Sequence, residues 1–347
     1  VIQFPSRSKI AVLGAGTWGT TLSWLLSTNE KKVAVWSRDT AKLDNLRKLR
    51  KVERPLSIDI PETVEVHDDI KDCLDGADVI VFCCTAQSMR SVATLVAQAL
   101  PARVAARPAA GSASGSPVLV SAAKGLELDT LKRMSEILTE VVPGHPVCAL
   151  SGPNLAQEVL NRLPTASVVA CQNEEVARFA QFRLSAPTFR LYTNTDVVGV
   201  ELGGALKNII GIAAGVSDGF KLGTNAKAAL MTRGLAEMVR IATNMGARAT
   251  TLSGLSGVGD LVATCYSPLS RNYRLGFKMA EGGDPDQVQK DLGAVAEGAT
   301  TSFAVYELAQ KLEVQVPIAE QVAAAVTRKT TPHKAIEALM SRPLASE

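Results

Sequence analysis

The stretch Leu13-Gly14-Ala15-Gly16-Thr17-Trp18-Gly19 constrains this chain more than any other. It follows a short apolar strand, Lys9 to Leu13, and opens a helical pattern from Thr17 to about Ser27. Gly-x-Gly-x-x-Gly is a weak signal alone, but between a strand and a helix it reads as a dinucleotide turn. Gly14 permits the tight turn, Gly16 lets backbone approach a pyrophosphate, and Gly19 lets helix and strand pack closely. The free N–H groups of Thr17, Trp18 and Gly19 at the helix start favour phosphate.

The rest of the first half repeats the theme. Strand patterns recur at 32–36, 78–84, 118–122, 147–150, 165–170 and 189–192, with helical spacing at 88–100 and 131–142. This alternation predicts an α/β fold, a Rossmann domain with a parallel-rich sheet. After Asp196 the strand patterns stop. Helical spacing takes over at 197–217, 225–243, 270–280, 302–312 and 317–327, so an all-helical C-terminal domain is expected. We place the boundary so that residues 1–195 form the dinucleotide-binding domain and 196–347 the helical substrate domain. Residues 101–117, rich in Ala, Pro, Gly and Ser, read as a flexible surface insertion.

Composition excludes several classes. The net charge is only +3, so neither nucleic acid nor a membrane surface is an expected partner. The six cysteines form no C-x-x-C pair and read as buried, reduced thiols. The three histidines have no metal-ligand spacing, so no metal is expected. No secretory leader or membrane span is expected.

One run, ELGGALKNIIGIAAG (201–215), sets Lys207 in a glycine-rich apolar helix. Its length would suit a membrane, but Glu201, Lys207 and Asn208 sit mid-run, and a central charge costs roughly 3 kcal/mol there. On a helix, Lys207 shares its face with Gly203, Gly204 and Gly211, with Gly215 one turn on. Each glycine costs about 1 kcal/mol relative to alanine. Either a neighbouring backbone packs there or a small molecule lies beside the amine. A lysine that snorkels to solvent is the plainer reading.

The ordered set IAVLGAGTWGTTLS, AAKGLE, LSGPNLA, ELGGALKN, GLSGVGDLVATCYSPLSRN, VAEG and VPIAEQV spans nearly the whole chain. In it the chain resembles the soluble NAD(P)-dependent glycerol-3-phosphate dehydrogenases of bacteria and plastids. The resemblance implies reversible hydride transfer between C2 of sn-glycerol 3-phosphate and the nicotinamide C4. Dihydroxyacetone phosphate is the other product, and the reaction would serve glycerolipid or glycerol synthesis. It implies Lys207 as general acid/base, Lys124 as a second active-site lysine, and Asp260 beside them. Burial and a second cation lower a lysine's pKa toward a useful range, while Asp260 opposes this. Gly152, Asn154, Asn208 and Thr264 match further substrate positions. Ser270, Arg271 and Asn272 match the substrate-phosphate site, with Arg271 also near the cofactor. Ala156, Val295 and Glu297 match cofactor contacts.

The cofactor is expected to be NAD(H), NADP(H) or both. Strand two ends in Trp36-Ser37-Arg38-Asp39, where Arg38 can meet a 2′-phosphate, so NADPH should be accepted. A homodimer in the cytoplasm or plastid stroma is expected. Two other readings stay open: a related β-hydroxyacid dehydrogenase, and a non-catalytic NADP(H)-binding regulator.

Overall fold

The computed structural model describes residues 9–52, 57–100, 116–293 and 296–343. The sheet strands are β1 (Lys9–Leu13), β2 (Lys32–Trp36), β3 (Val64–Val66), β4 (Ala77–Phe82), β5 (Val118–Ser121), β6 (Val147–Ser151), β7 (Thr165–Ala170) and β8 (Phe189–Asn194). They form one eight-stranded sheet in the order β8-β7-β6-β5-β4-β1-β2-β3. The first six strands thus lie 3-2-1-4-5-6 and pair in parallel. This is the doubly wound order, whose crevice opens where β1 and β4 lie side by side. β7 then runs antiparallel to β6, and β8 runs parallel to β7.

The interior strands are apolar on both faces because both are covered. Ile10 and Val12 of β1 join one core, and Ala11 and Leu13 join the other. Helix α1 (Thr17–Ser27) follows β1 directly. The predicted insertion falls at residues 101–117, and 101–115 lie outside the described residues.

The C-terminal half is helical. Helix α2 (Val197–Gly219) is its buried axis, with α3 (Gly223–Asn244), α4 (Asp260–Tyr266), α5 (Arg271–Ala280) and α6 (Glu297–Lys311) packed on it. Asp196 caps α2 by accepting from the Gly199 N–H at 2.9 Å. α2 has the length and apolarity of a membrane span, but it is a core helix, buried over 83% of its apolar window. Its charges are partnered within the protein. Glu201 accepts from the Arg133 guanidinium at 2.7 Å, the Ser135 N–H at 2.8 Å and the Ser135 hydroxyl at 2.6 Å. Those bonds tie the helical half to the sheet half.

The glycine face of α2 is occupied by neighbouring backbone and side chains. A Cβ on Gly215 would lie 2.0 Å from the Tyr273 carbonyl oxygen, and one on Gly276 would lie 1.9 Å from that of Ile212. Helices α2 and α5 therefore cross backbone against backbone, which only glycine allows. Gly215→Ala is expected to destabilise the fold by about 1–3 kcal/mol through overpacking. Urea unfolding measures this, and a loss below about 0.5 kcal/mol, the range of ordinary surface changes, would contradict it.

Candidate active site

The nucleotide turn has the geometry its glycines require. Gly14 sits at φ +125°, and its N–H donates to the Trp36 carbonyl at 2.7 Å. A Cβ there would strike the Cys83 carbonyl oxygen at 2.7 Å, and one on Gly19 would meet the Gly14 carbonyl oxygen at 2.0 Å. At Gly16, by contrast, a Cβ would meet nothing within 4 Å, so this glycine faces open space. Gly16 is the N-cap of α1 and offers no side-chain acceptor to the first-turn N–H groups. Donors aimed into an open crevice suit a pyrophosphate. Trp18 packs its indole on Phe189, with ring centroids 6.1 Å apart, so its side chain serves the sheet domain's core.

Arg38 follows β2 and crosses the crevice mouth. Its guanidinium donates to the Ser88 hydroxyl at 2.7 Å and the Ser91 hydroxyl at 2.8 Å. These serines were not legible as site residues. The signal was the three-residue spacing Thr85-x-x-Ser88-x-x-Ser91 where a helix starts after β4.

Beyond the crevice, three charges meet. Asp260, at the start of α4, is almost fully buried. Its Oδ2 accepts from Lys124 Nζ at 2.7 Å, and its Oδ1 pairs with Lys207 Nζ at 3.0 Å. Lys207 also donates to the Thr264 hydroxyl, one helical turn beyond Asp260, at 2.5 Å. Lys124, just past β5, donates as well to the Gly152 carbonyl at 2.9 Å and to Asn154 Oδ1 at 2.8 Å. Gly152 needs its φ of +139° and its missing Cβ, because Ser167 Cα lies 2.8 Å from where one would sit. Burial brings the Lys124 ammonium down to about 8; Asp260 pulls it up, and Lys207 pushes it lower. Two lysines around one carboxylate leave the cluster with a net positive charge in a water-poor setting.

On the far side lie Ser270, Arg271 and Asn272. Ser270 caps α5 by accepting from the Tyr273 N–H at 3.3 Å. Arg271 is half-buried, and its guanidinium lies within electrostatic reach of Glu297 at the start of α6. Burial pushes the Glu297 carboxyl up to about 7, against the pull of the Ala86 N–H and Arg271. The Ala86 N–H donates to Glu297 Oε1 at 3.3 Å, bridging the sheet half and the helical half. The Asn272 side chain is used within the protein: its Nδ2 donates to Asn208 Oδ1 at 2.8 Å, and its Oδ1 accepts from the Gly298 N–H at 3.0 Å. Asn208 in turn donates to the Lys124 carbonyl at 3.3 Å.

Two family profiles cover most of this chain. Residues 9–177 match the NAD-dependent glycerol-3-phosphate dehydrogenase N-terminus, and residues 196–337 match the C-terminus of the same family. The chain belongs to the NAD-dependent glycerol-3-phosphate dehydrogenase family. A relative from Anaeromyxobacter dehalogenans, named glycerol-3-phosphate dehydrogenase (NAD(P)+), is 43% identical over 338 residues, covering 96% of this chain and 98% of that one. The crystal structure of glycerol-3-phosphate dehydrogenase from Coxiella burnetii superposes with a TM-score of 0.89 at 35% identity, covering 97% of this chain and all of that one. A ketopantoate reductase from Ralstonia eutropha shares the fold alone, with a TM-score of 0.57 at 14% identity.

Within this glycerol-3-phosphate dehydrogenase family fold, the structure gathers Lys124, Gly152, Asn154, Lys207, Asp260 and Thr264 into one hydrogen-bonded cluster. Asn208, Asn272 and Gly298 form the wall beside it. Gly14, Gly16, Thr17 and Gly19 stand at the crevice floor, with Arg38 at its mouth. Ala156 starts a short helix that packs on α1. Val295 lies outside the described residues.

Proposed function

We propose that this protein reduces dihydroxyacetone phosphate to sn-glycerol 3-phosphate, and catalyses the reverse, using NADH or NADPH. The observation that carries the reading is the Lys207–Asp260–Lys124 cluster beside the glycine-lined crevice. When bound, the dinucleotide supplies the hydride at its nicotinamide C4.

The chain's own residues do the rest. Thr264 and Asp260 fix the Lys207 ammonium so that one N–H remains to reach the C2 oxygen. Lys207 gives that oxygen its proton in reduction and takes it back in oxidation, a general acid/base role. Lys124, held at Nζ by Gly152, Asn154 and Asp260, adds positive potential where negative charge develops on oxygen. Arg271 and the N-terminus of α5, capped by Ser270, would hold the substrate phosphate. The Asn272 and Asn208 side chains position the wall from which Arg271 reaches in. Glu297 sits between Ala86 and Arg271, on the cofactor side. In this reading residues 1–195 bind the dinucleotide and 196–347 supply the substrate side. It extends to a homodimer in the cytoplasm or plastid stroma, which sedimentation of the purified chain and cell fractionation would test.

Purified protein mixed with dihydroxyacetone phosphate should oxidise NADH or NADPH. A folded sample that binds the cofactor but turns over neither would overturn the proposal. Cofactor choice rests on Arg38. Arg38→Ala should raise the KM for NADPH by about 10- to 100-fold, the worth of a charge-assisted phosphate contact, and leave that for NADH little changed. Equal effects on both cofactors would remove Arg38 from the 2′-phosphate.

A further inference from the structure

The antiparallel junction of β6 with β7 brings together two thiols that the proposed reaction does not use. In its ladder Ala149 faces Ala170 and Leu150 faces Val169. One step further in the same register, Cys148 faces Cys171. The Cys171 N–H donates to the Asn194 carbonyl of β8 at 3.0 Å, so its backbone polar groups point away from β6. The facing pair is therefore of the non-hydrogen-bonded kind, in which Cα atoms lie about 4.5 Å apart and side chains approach most closely. A disulfide accepts Cα separations of roughly 4.4–6.8 Å. Both side chains lie in the same core face, with Leu150 and Val169.

Cys148 is fully buried, and Cys171, itself only 5% exposed, lies nearer the surface, among the residues lining a cleft of about 1090 Å³ beside Val147, Gln172 and Asn173. The hydrogen bond between the two thiols pulls Cys171 down to about 7 and pushes Cys148 up. Elsewhere burial pushes Cys73, Cys84 and Cys265 up to about 12, which makes them poor nucleophiles.

We propose that Cys148 and Cys171 are a peroxide-sensitive pair that closes a reversible disulfide between β6 and β7. The Cys171 thiolate attacks one oxygen of hydrogen peroxide and expels hydroxide, giving a sulfenic acid. The Cys148 sulfur then attacks the Cys171 sulfur, and the sulfenic hydroxyl leaves as water with the Cys148 proton. Two thiols are oxidised, and one peroxide is reduced to two waters. A thiol reductant reverses the bond. This inference does not depend on the dehydrogenase reading.

The test treats the reduced full-length chain with hydrogen peroxide, alkylates it, and maps peptides without reductant. The expected result is a peptide joining Cys148 to Cys171, lighter by two hydrogens, that is lost on reduction. Thiol titration in denaturant should fall by two of the six cysteines. Cys148→Ser should instead leave Cys171 trapped by dimedone as the sulfenic acid, and Cys171→Ser should give neither product. Dimedone trapping of Cys171 without a cross-link in the wild-type chain would overturn the proposal. So would a cross-link through any other cysteine, or no loss of thiols. The wild-type peptide map decides the matter even if either serine variant folds poorly.

Discussion

Lys207→Met should fold normally and lose about 100- to 10,000-fold in turnover, the range general acid/base groups contribute. Methionine keeps most of the volume and the flexible stem, so the α2 packing survives. What disappears is the proton that meets the C2 oxygen. Asp260 would remain bonded to Lys124, so the site keeps its shape, while the cluster loses the net positive charge that the second lysine gave it. Binding of the reduced dinucleotide, followed by its fluorescence, should stay within a few-fold of wild type. Turnover within tenfold of wild type would take the acid/base role from Lys207. Loss of cofactor binding in the variant, with no turnover by the wild-type protein either, would instead favour the regulator reading.

Asp260→Ala should be the most damaging single change to the fold at this site. It leaves two buried ammonium groups facing each other without their carboxylate. Breaking a buried ion pair from one side costs about 3–5 kcal/mol. Turnover should also collapse, because both lysines lose the group that orients them. The deficit should depend on pH. Lys124 has a folded pKa of about 8, below the 10.5 of an unperturbed lysine, so keeping it protonated in the native state opposes folding. That cost is full below the folded value and fades as pH rises from about 8 toward 10.5, because the unfolded chain still holds a proton the native chain has released. Asp260 raises the Lys124 pKa, so its removal should extend this window to lower pH. Urea unfolding at pH 7 and pH 9 measures the difference. The variant should recover part of its lost stability at pH 9, and a deficit unchanged between the two would contradict the account.

Much of this was legible in the sequence, and the exceptions have physical causes. β1 and β2 begin and end where apolar runs do, because interior parallel strands are buried on both faces. β3 is only three residues, Val64–Val66, too short for a period to show. The reversal at β7 was not legible either, since an apolar run announces a strand but not its direction. The question posed by the glycines around Lys207 had two answers, and packing supplies one. Gly215 is cleared for the α5 backbone, Gly203 for the Ser256 carbonyl, and Gly211 for the Thr264 methyl. Lys207 gains its setting as a consequence of those close approaches.

Which residues of the candidate site could come together was legible, and their wiring was not. Asp260 finds Lys124 from 136 positions away, and Glu201 finds Ser135 from 66. Pairings at such separations depend on the sheet order and the packing of α2, which local pattern cannot encode. The Asn272 amide is spent on Asn208 and Gly298, which puts more of the proposed phosphate contact on Arg271 and the α5 backbone. Arg38 was legible as a charge at the end of β2, but its anchoring hydroxyls, Ser88 and Ser91, lie on a different βα unit.

The most direct test of the central claim follows the hydride. Dihydroxyacetone phosphate would be reduced by this protein with nicotinamide cofactor carrying deuterium at C4 on the transferred face, and the product examined by mass spectrometry and proton NMR. The account predicts one deuterium at C2 of sn-glycerol 3-phosphate, with wild-type protein forming it far faster than Lys207→Met. Folded, cofactor-binding protein that leaves the label on the cofactor would contradict it.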